Sequence, residues 1–456
     1  MNIITILMLL VFASGRGQEA PIGEPVLYKN LSIPKEILTT SVDEDGNTQT
    51  FGGDVRIGDL DGDGVVDFLV FRNIDGTKPV FLGAFDIEGE VLWKVGEGGG
   101  QPIRPGPAAI HDIDGDGECE VICFFHKPGV ESKADELKDV VVQIRDGRTG
   151  EVEKEAAPTE LTARSGEGAN WVHQRILVAN FRGTRTPRDF VVKLGDTLLA
   201  LDENLTVLWT YRVRWNEYSH CSAYIPSVGD IDGDGKDEVN GGYFLLGSDG
   251  TPKWEKQLGR NMDSVAITEW DGGRARAICS GFGHVMDEEG NVVLRLGGDV
   301  VPHGQEARVA DFVAERDGPE MMIRYNGHET GVMVVGNDGR ILRRFKVNES
   351  PNNTGMEAVY WNGPNDAALL YNGGRLFNGH GVQRVVLDEL GKPVGPSRMG
   401  WFHCIPANVC SDEREELVLY NPWDRWIYIY TPSPAAPQAF KGYRATPRQY
   451  NVRLMD

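Results

Sequence analysis

Asp59-Leu60-Asp61-Gly62-Asp63-Gly64-Val65-Val66-Asp67 recurs as Asp112-Ile113-Asp114-Gly115-Asp116-Gly117-Glu118-Cys119-Glu120 and as Asp230-Ile231-Asp232-Gly233-Asp234-Gly235-Lys236-Asp237-Glu238. Each copy places carboxylates at positions 1, 3, 5 and 9, with glycine at position 6. Calcium takes six to eight hard oxygens, and glycine permits the sharp turn that gathers them. The predicted metal ligands are therefore Asp59, Asp61, Asp63 and Asp67, then Asp112, Asp114, Asp116 and Glu120, then Asp230, Asp232, Asp234 and Glu238. Plain acidic turns without metal are the alternative. An EF-hand would need a bidentate Glu at position 12 and flanking helices. Here the flanks are short apolar runs, Phe68-Leu69-Val70-Phe71 and Val121-Ile122-Cys123-Phe124-Phe125, so the turns join strands.

Degenerate copies follow at Ala179-Asn180-Phe181, Thr268-Glu269-Trp270-Asp271, Ala310-Asp311-Phe312, Val359-Tyr360-Trp361-Asn362 and Asn408-Val409-Cys410-Ser411-Asp412. Second turns with an apolar or aromatic close follow several of them, as in Gly250-Thr251-Pro252-Lys253-Trp254 and Asp338-Gly339-Arg340-Ile341-Leu342. A spacing of roughly forty to seventy residues is that of propeller blades. Helical periodicity is nearly absent and 57 glycines punctuate the chain. The predicted fold is all-β: one β-propeller over 21–456, of seven or eight four-stranded blades with calcium-binding Asp-rich turns. The Tyr428-Ile429-Tyr430-Thr431-Pro432 segment is expected to help close the ring.

Residues 1–20 carry an apolar run, Ile3 to Ala13, followed by small residues. It is too short to span a bilayer and suits a secretory signal, although no Lys or Arg precedes it. A secreted or periplasmic monomer with no membrane span is expected. A formal net charge of -22 disfavours nucleic acid as a partner. It also means that a polyanionic substrate would need a local basic patch. The six cysteines, Cys119, Cys123, Cys221, Cys279, Cys404 and Cys410, admit disulfides, buried thiols or a structural zinc drawn with His220, His284 and His403.

The basic patch has a candidate. Arg175, Arg182, Arg185, Arg188, Lys193, Arg212 and Arg214 fall within one stretch, beside Trp171-Val172-His173-Gln174 and Trp215-Asn216-Glu217-Tyr218-Ser219-His220. Guanidinium groups neutralise a uronate carboxylate, while imidazole and phenol groups suit proton transfer in β-elimination. A second polar set comprises His303, Arg324, Asn326 and His328, and Tyr243 is a further aromatic candidate.

The acidic turns resemble those of integrin-like and bacterial extracellular propellers. With the histidines and tyrosine added, the chain resembles the propeller-type ulvan lyases and, more distantly, the calcium-dependent rhamnogalacturonan lyases. That resemblance implies catalytic roles for His126 in Phe124-Phe125-His126-Lys127-Pro128-Gly129, for His173 and for Tyr218. It also implies a uronate-binding arginine, for which Arg175, Arg182 and Arg324 are candidates. Substrate contacts are expected from these and from Tyr243, His303, Asn326 and His328. The expected activity is a lyase on an anionic polysaccharide, ulvan-like or rhamnogalacturonan-like. A non-catalytic carbohydrate- or protein-binding propeller is the competing expectation. A hydrolase with paired carboxylates ranks behind both, since the turns claim most acidic residues.

Overall fold

The apolar runs after each turn lack a polar face, because both sides of every sheet are covered. In strand Asp67–Ile74, Phe68 and Val70 enter one cluster while Leu69 and Phe71 enter another. Sheets buried on both sides produce continuous apolar sequence instead of strict alternation. The computed structural model describes residues 21–42, 46, 48–74, 78–100, 108–126, 140–162, 175–194, 196–215, 222–350, 354–387, 402–410, 412–435 and 441–452.

Eight four-stranded antiparallel sheets follow one another around a ring, so the count settles at eight blades. Blade 1 comprises Asp54–Gly58, Asp67–Ile74, Lys78–Phe85 and Val91–Gly96. Blade 2 begins at Ala108–His111, blade 3 at Arg175–Ala179, blade 4 at Ser227–Gly229 and blade 5 at Val265–Asp271. Blades 6, 7 and 8 begin at Glu306–Ala310, Glu357–Val359 and His403–Ala407. These first strands touch in succession and line the axis. Eight hydrophobic clusters lie between them, one at each junction of neighbouring blades.

Ring closure uses both ends of the chain. Blade 8 takes three strands from the C-terminal region, and its outer strand, Pro25–Ser32, pairs with Trp426–Pro432. The Tyr428–Pro432 segment thus lies inside the closing blade, with the N-terminal strand as its fastener. Residues 1–20, where a secretory signal is expected, lie outside the described residues. Among the described residues no helix is long and apolar enough to cross a membrane.

A second device repeats around the rim. The outer-strand residues Trp93, Trp209, Trp254, Leu294 and Phe345 each pack on a glycine of the next blade's outer turn: Gly150, Gly250, Gly290, Gly339 and Gly381. A Cβ at Gly250 would come within 2.6 Å of the Trp209 ring, and its φ of +78° already excludes most side chains. Trp209 also donates its indole N–H to Ser248 O at 2.9 Å.

The residues that follow blade 8 return to the axis. Gly442 and Tyr443 donate backbone N–H groups to Gly64 O, and a one-turn helix, Pro447–Tyr450, follows. Its Gln449 Nε2 donates to Pro406 O of blade 8 at 2.6 Å. Asn451 bonds both the N–H and the carbonyl of Val178 in blade 3, each at 2.7 Å. Arg448 reaches Ala358 O of blade 7 and the Glu415 carboxylate, and the Tyr450 ring lies 4.6 Å from that of His111 in blade 2.

Candidate functional site

Strand direction divides the molecule into two faces. First strands run toward the turns that contain the acidic repeats, and third strands run the same way. The opposite face, called the mouth, therefore carries the connections entering each blade and the loops between its second and third strands.

On the acidic face the turns build themselves from their own side chains. Asp59 accepts the N–H groups of Gly62 at 3.0 Å and Gly64 at 3.1 Å, and Asp112 and Asp230 repeat the pattern. Both glycines of the first turn sit in the left-handed region, at φ +77° and +80°. The position-9 carboxylate folds back: Asp67 accepts from Leu60 N, Glu120 from Ile113 N and Glu238 from Ile231 N. Blades 6 and 8 keep this back-bond without the acidic ladder, through Glu320 and Glu416. Position 9 thus closes the turn whether or not a metal binds.

Oxygens of Asp59, Asp61 and Asp67 all lie within 4.8 Å of one another, as do those of Asp112, Asp114 and Glu120, and those of Asp230, Asp232 and Asp234. A cation that takes oxygens at about 2.3–2.6 Å fits between ligands at such separations. Burial pushes the carboxyl groups of Asp67 to about 7 and Glu120 to about 8, so without a cation beside them both favour the neutral acid. Asp63 and Asp116 complete the ladder through backbone bonds from Val65 and Glu118. In the third turn the Lys253 ammonium pairs with Asp232 and lies 3.5 Å from Glu238.

The basic stretch divides between the faces, because it spans one hairpin whose ends point apart. Arg182 lies in the acidic-face turn of blade 3, paired with Asp189 at 2.7 Å and with Glu203. It is therefore not with the mouth residues, contrary to the expectation that it binds substrate beside them. Arg185 and Arg188 share that turn. Arg175 and Lys193 pair across the same hairpin at the mouth, each 2% exposed. Arg212 and Arg214 are exposed near the mouth, paired with Asp196 and Glu255.

The mouth also gathers His126, half-buried at the end of Glu120–His126, and Arg324 at the end of Glu320–Arg324. Arg324 is fully buried, with its Nη1 3.4 Å from Ser350 Oγ. Tyr243 is buried too, and its hydroxyl donates to Arg260 O at 2.5 Å. His303 and Asn326 form a parallel bridge, and the His303 ring lies 6.4 Å from that of His328. Sequence reasoning missed Asn261 and Asp263, which sit behind His303; a lone buried Asp in Asn261-Met262-Asp263-Ser264 carries no motif. His173, Tyr218, His220 and Cys221 lie outside the described residues.

The five described cysteines are free thiols, so no disulfide forms among Cys119, Cys123, Cys279, Cys404 and Cys410. Nor do the described residues bring three zinc ligands together from Cys279, His284, His403, Cys404 and Cys410. These thiols pack in strands and turns as small apolar groups, and burial pushes Cys279 up to about 12.

No protein-family model matches the chain. It is 25% identical over 311 residues to rhamnogalacturonan exolyase YesX of Bacillus subtilis, covering 58% of this chain and 50% of that protein. To rhamnogalacturonan endolyase YesW of the same organism it is 24% identical over 298 residues, covering 53% and 46%. The chain spans about half the length of the curated relatives it matches. Among solved structures, YesW superposes with a TM-score of 0.66 at 19% identity, over 90% of this chain and 77% of that one. A Bacillus licheniformis rhamnogalacturonan lyase gives 0.65 at 19% over 92% and 78%. The Vibrio cholerae biofilm matrix protein Bap1 gives 0.55 at 12% over 95% and 91%. These likenesses establish an eight-bladed β-propeller as the fold of this chain.

Proposed function

We propose that the protein is a secreted polysaccharide lyase that cleaves a uronic-acid-containing glycan by β-elimination, with rhamnogalacturonan-like polymers ranked ahead of ulvan-like ones. The observation that carries this reading is the sequence similarity to two rhamnogalacturonan lyases, within a chain of which 90% superposes on one of them.

The mouth supplies suitable chemistry. Arg175, Lys193 and Arg324 concentrate positive charge there despite the net charge of -22. Such charge lowers the barrier to removing the C5 proton by stabilising the enolate-like state. Imidazole and phenol groups then move protons; His126, His173 and Tyr218 are the candidates that the resemblance nominates. The buried position of Arg175 and Arg324 suits orientation and long-range charge, and Arg212 and Arg214 at the rim suit direct contact with carboxylates. Calcium, when bound in the turns, supplies rigidity to the acidic face, with Asp59, Asp61, Asp67, Asp112, Asp114 and Glu120 as holders.

Incubation of the mature protein with rhamnogalacturonan, ulvan and polygalacturonate, followed by ultraviolet absorbance of the unsaturated uronate, tests the reading. Product from at least one polymer is expected. Binding of these polymers without product would instead favour the non-catalytic carbohydrate-binding propeller.

A further inference from the structure

We infer that Asp263 and His303 form an acid–base dyad at the mouth, in which His303 Nδ1 takes the C5 proton of the uronate; the assignment rests on the lyase reading. Asp263 is 1% exposed and precedes the first strand of blade 5, while His303 precedes that of blade 6. His303 Nε2 lies 3.0 Å from Asp263 Oδ2, and Asp263 Oδ1 accepts Asn261 Nδ2 at 2.7 Å. A buried carboxylate that accepts at both oxygens holds the imidazole with its proton on Nε2. The lone pair is then left on Nδ1.

The surroundings keep that nitrogen available. No described residue hydrogen-bonds Nδ1, and the ring is 21% exposed. Gly327 faces it: a Cβ at Gly327 would come within 2.9 Å of Nδ1. The missing side chain leaves an approach that any other residue would cover. The backbone is pinned as well. His303 N–H donates to Tyr325 O at 3.2 Å, Gly327 N–H donates to His303 O at 2.8 Å, and Gly304 N–H donates to Gly281 O at 2.9 Å. The imidazole is thus fixed between blades 5 and 6, as a group in proton transfer must be. By contrast, His284 and His403 on the same face are 3% exposed and closed to a polymer.

In the step, Nδ1 accepts the C5 proton and the C–H electron pair becomes the C4–C5 double bond. The C4–O bond breaks, and the departing oxygen takes a proton from water. The imidazolium returns its proton to solvent, and no oxidant or reductant is involved.

The test compares wild type with H303Q, D263N and G327A on the uronate polymer that wild type cleaves, with melting curves to confirm folding. H303Q is expected to lower kcat by about a hundredfold or more with KM within about threefold, in line with loss of a general base. D263N is expected to lower kcat by at least tenfold. It should also move the acid limb of the kcat/KM profile to lower pH, a change that a purely structural role would not produce. The titratable groups facing His303 are Asp263 and His328. G327A, which covers Nδ1, is expected to mimic H303Q. Nitrogen chemical shifts of His303 should report the Nε2-protonated form in wild type. Wild type without product on any uronate polymer removes the lyase reading and the dyad together. Wild-type turnover with H303Q undiminished removes only His303, and an unchanged D263N profile removes Asp263. A protonated Nδ1 in neutral wild type overturns the dyad independently of activity.

Discussion

Protonating His284 works against the fold more than protonating an exposed imidazole would, because the ring is 3% exposed and lies across from Arg295. Burial, then the charge of Arg295, brings it down to about 4. The unfolded chain takes up this proton near pH 6.5, the folded one only near 4, so stability falls as pH drops through that window. The contribution is on the order of 3 kcal/mol. His284→Leu is expected to flatten the denaturant midpoint between pH 6.5 and 4, read by urea titration at several pH values. Glu416 acts in the opposite sense. Burial raises it to about 7, so the stability it contributes is lost as pH rises from about 4.5 through 7. Single residues were the least legible scale in the sequence. Seven basic residues in one stretch read as one patch, yet a hairpin sends Arg182 to one face and Arg175 to the other. Linear proximity carries no information about which end of a strand a side chain occupies. Asp263 was illegible for a related reason: its partner His303 lies forty residues on, in another blade.

The repeated elements were legible, because each copy restates the same local chemistry. Turns with Asp at positions 1, 3 and 5 announce themselves, and the five degenerate copies all fall where a blade's first strand ends. The metal content of the three turns is expected to differ. In the third turn Lys253 already neutralises Asp232, whose carboxyl it holds below its ordinary range by hydrogen bonding. Calcium titration by calorimetry should therefore show two tighter ions and a weaker third, and Lys253→Met should tighten the third. A turn filled at a hundredfold its dissociation constant adds about 2.7 kcal/mol, so chelation should lower the melting temperature measurably. An identical melting curve in calcium and in chelator would refute metal binding. The rim glycines offer a sharper mutational probe. Gly250→Ala forces a Cβ into the Trp209 ring at a left-handed position, and a loss of about 2–4 kcal/mol is expected from chemical denaturation.

At the scale of the molecule, the sequence announced a ring and left its count between seven and eight. Degenerate turns cannot be told from insertions until each is seen to open a sheet. The contribution of residues 441–452 was unreadable, since an axial plug has no repeat to betray it. Asn451→Ala would orphan the N–H and the carbonyl of Val178, and Gln449→Ala would orphan Pro406 O. Each is expected to lower stability by about 1–3 kcal/mol, and the double variant by less than the sum, because both bonds hold the same short segment in place.

That plug also alters what the axis can be used for. With blades 1, 2, 3, 7 and 8 tied to one short segment at the acidic end, the central space becomes a well with a floor, not a pipe. A cavity of about 340 Å³ is bounded by blades 3 to 7 and by Arg448 and Asn451. Under the proposed lyase reading, a long glycan would lie across the opening like a rope over a wellhead, and its products would depart through the aperture by which it arrived.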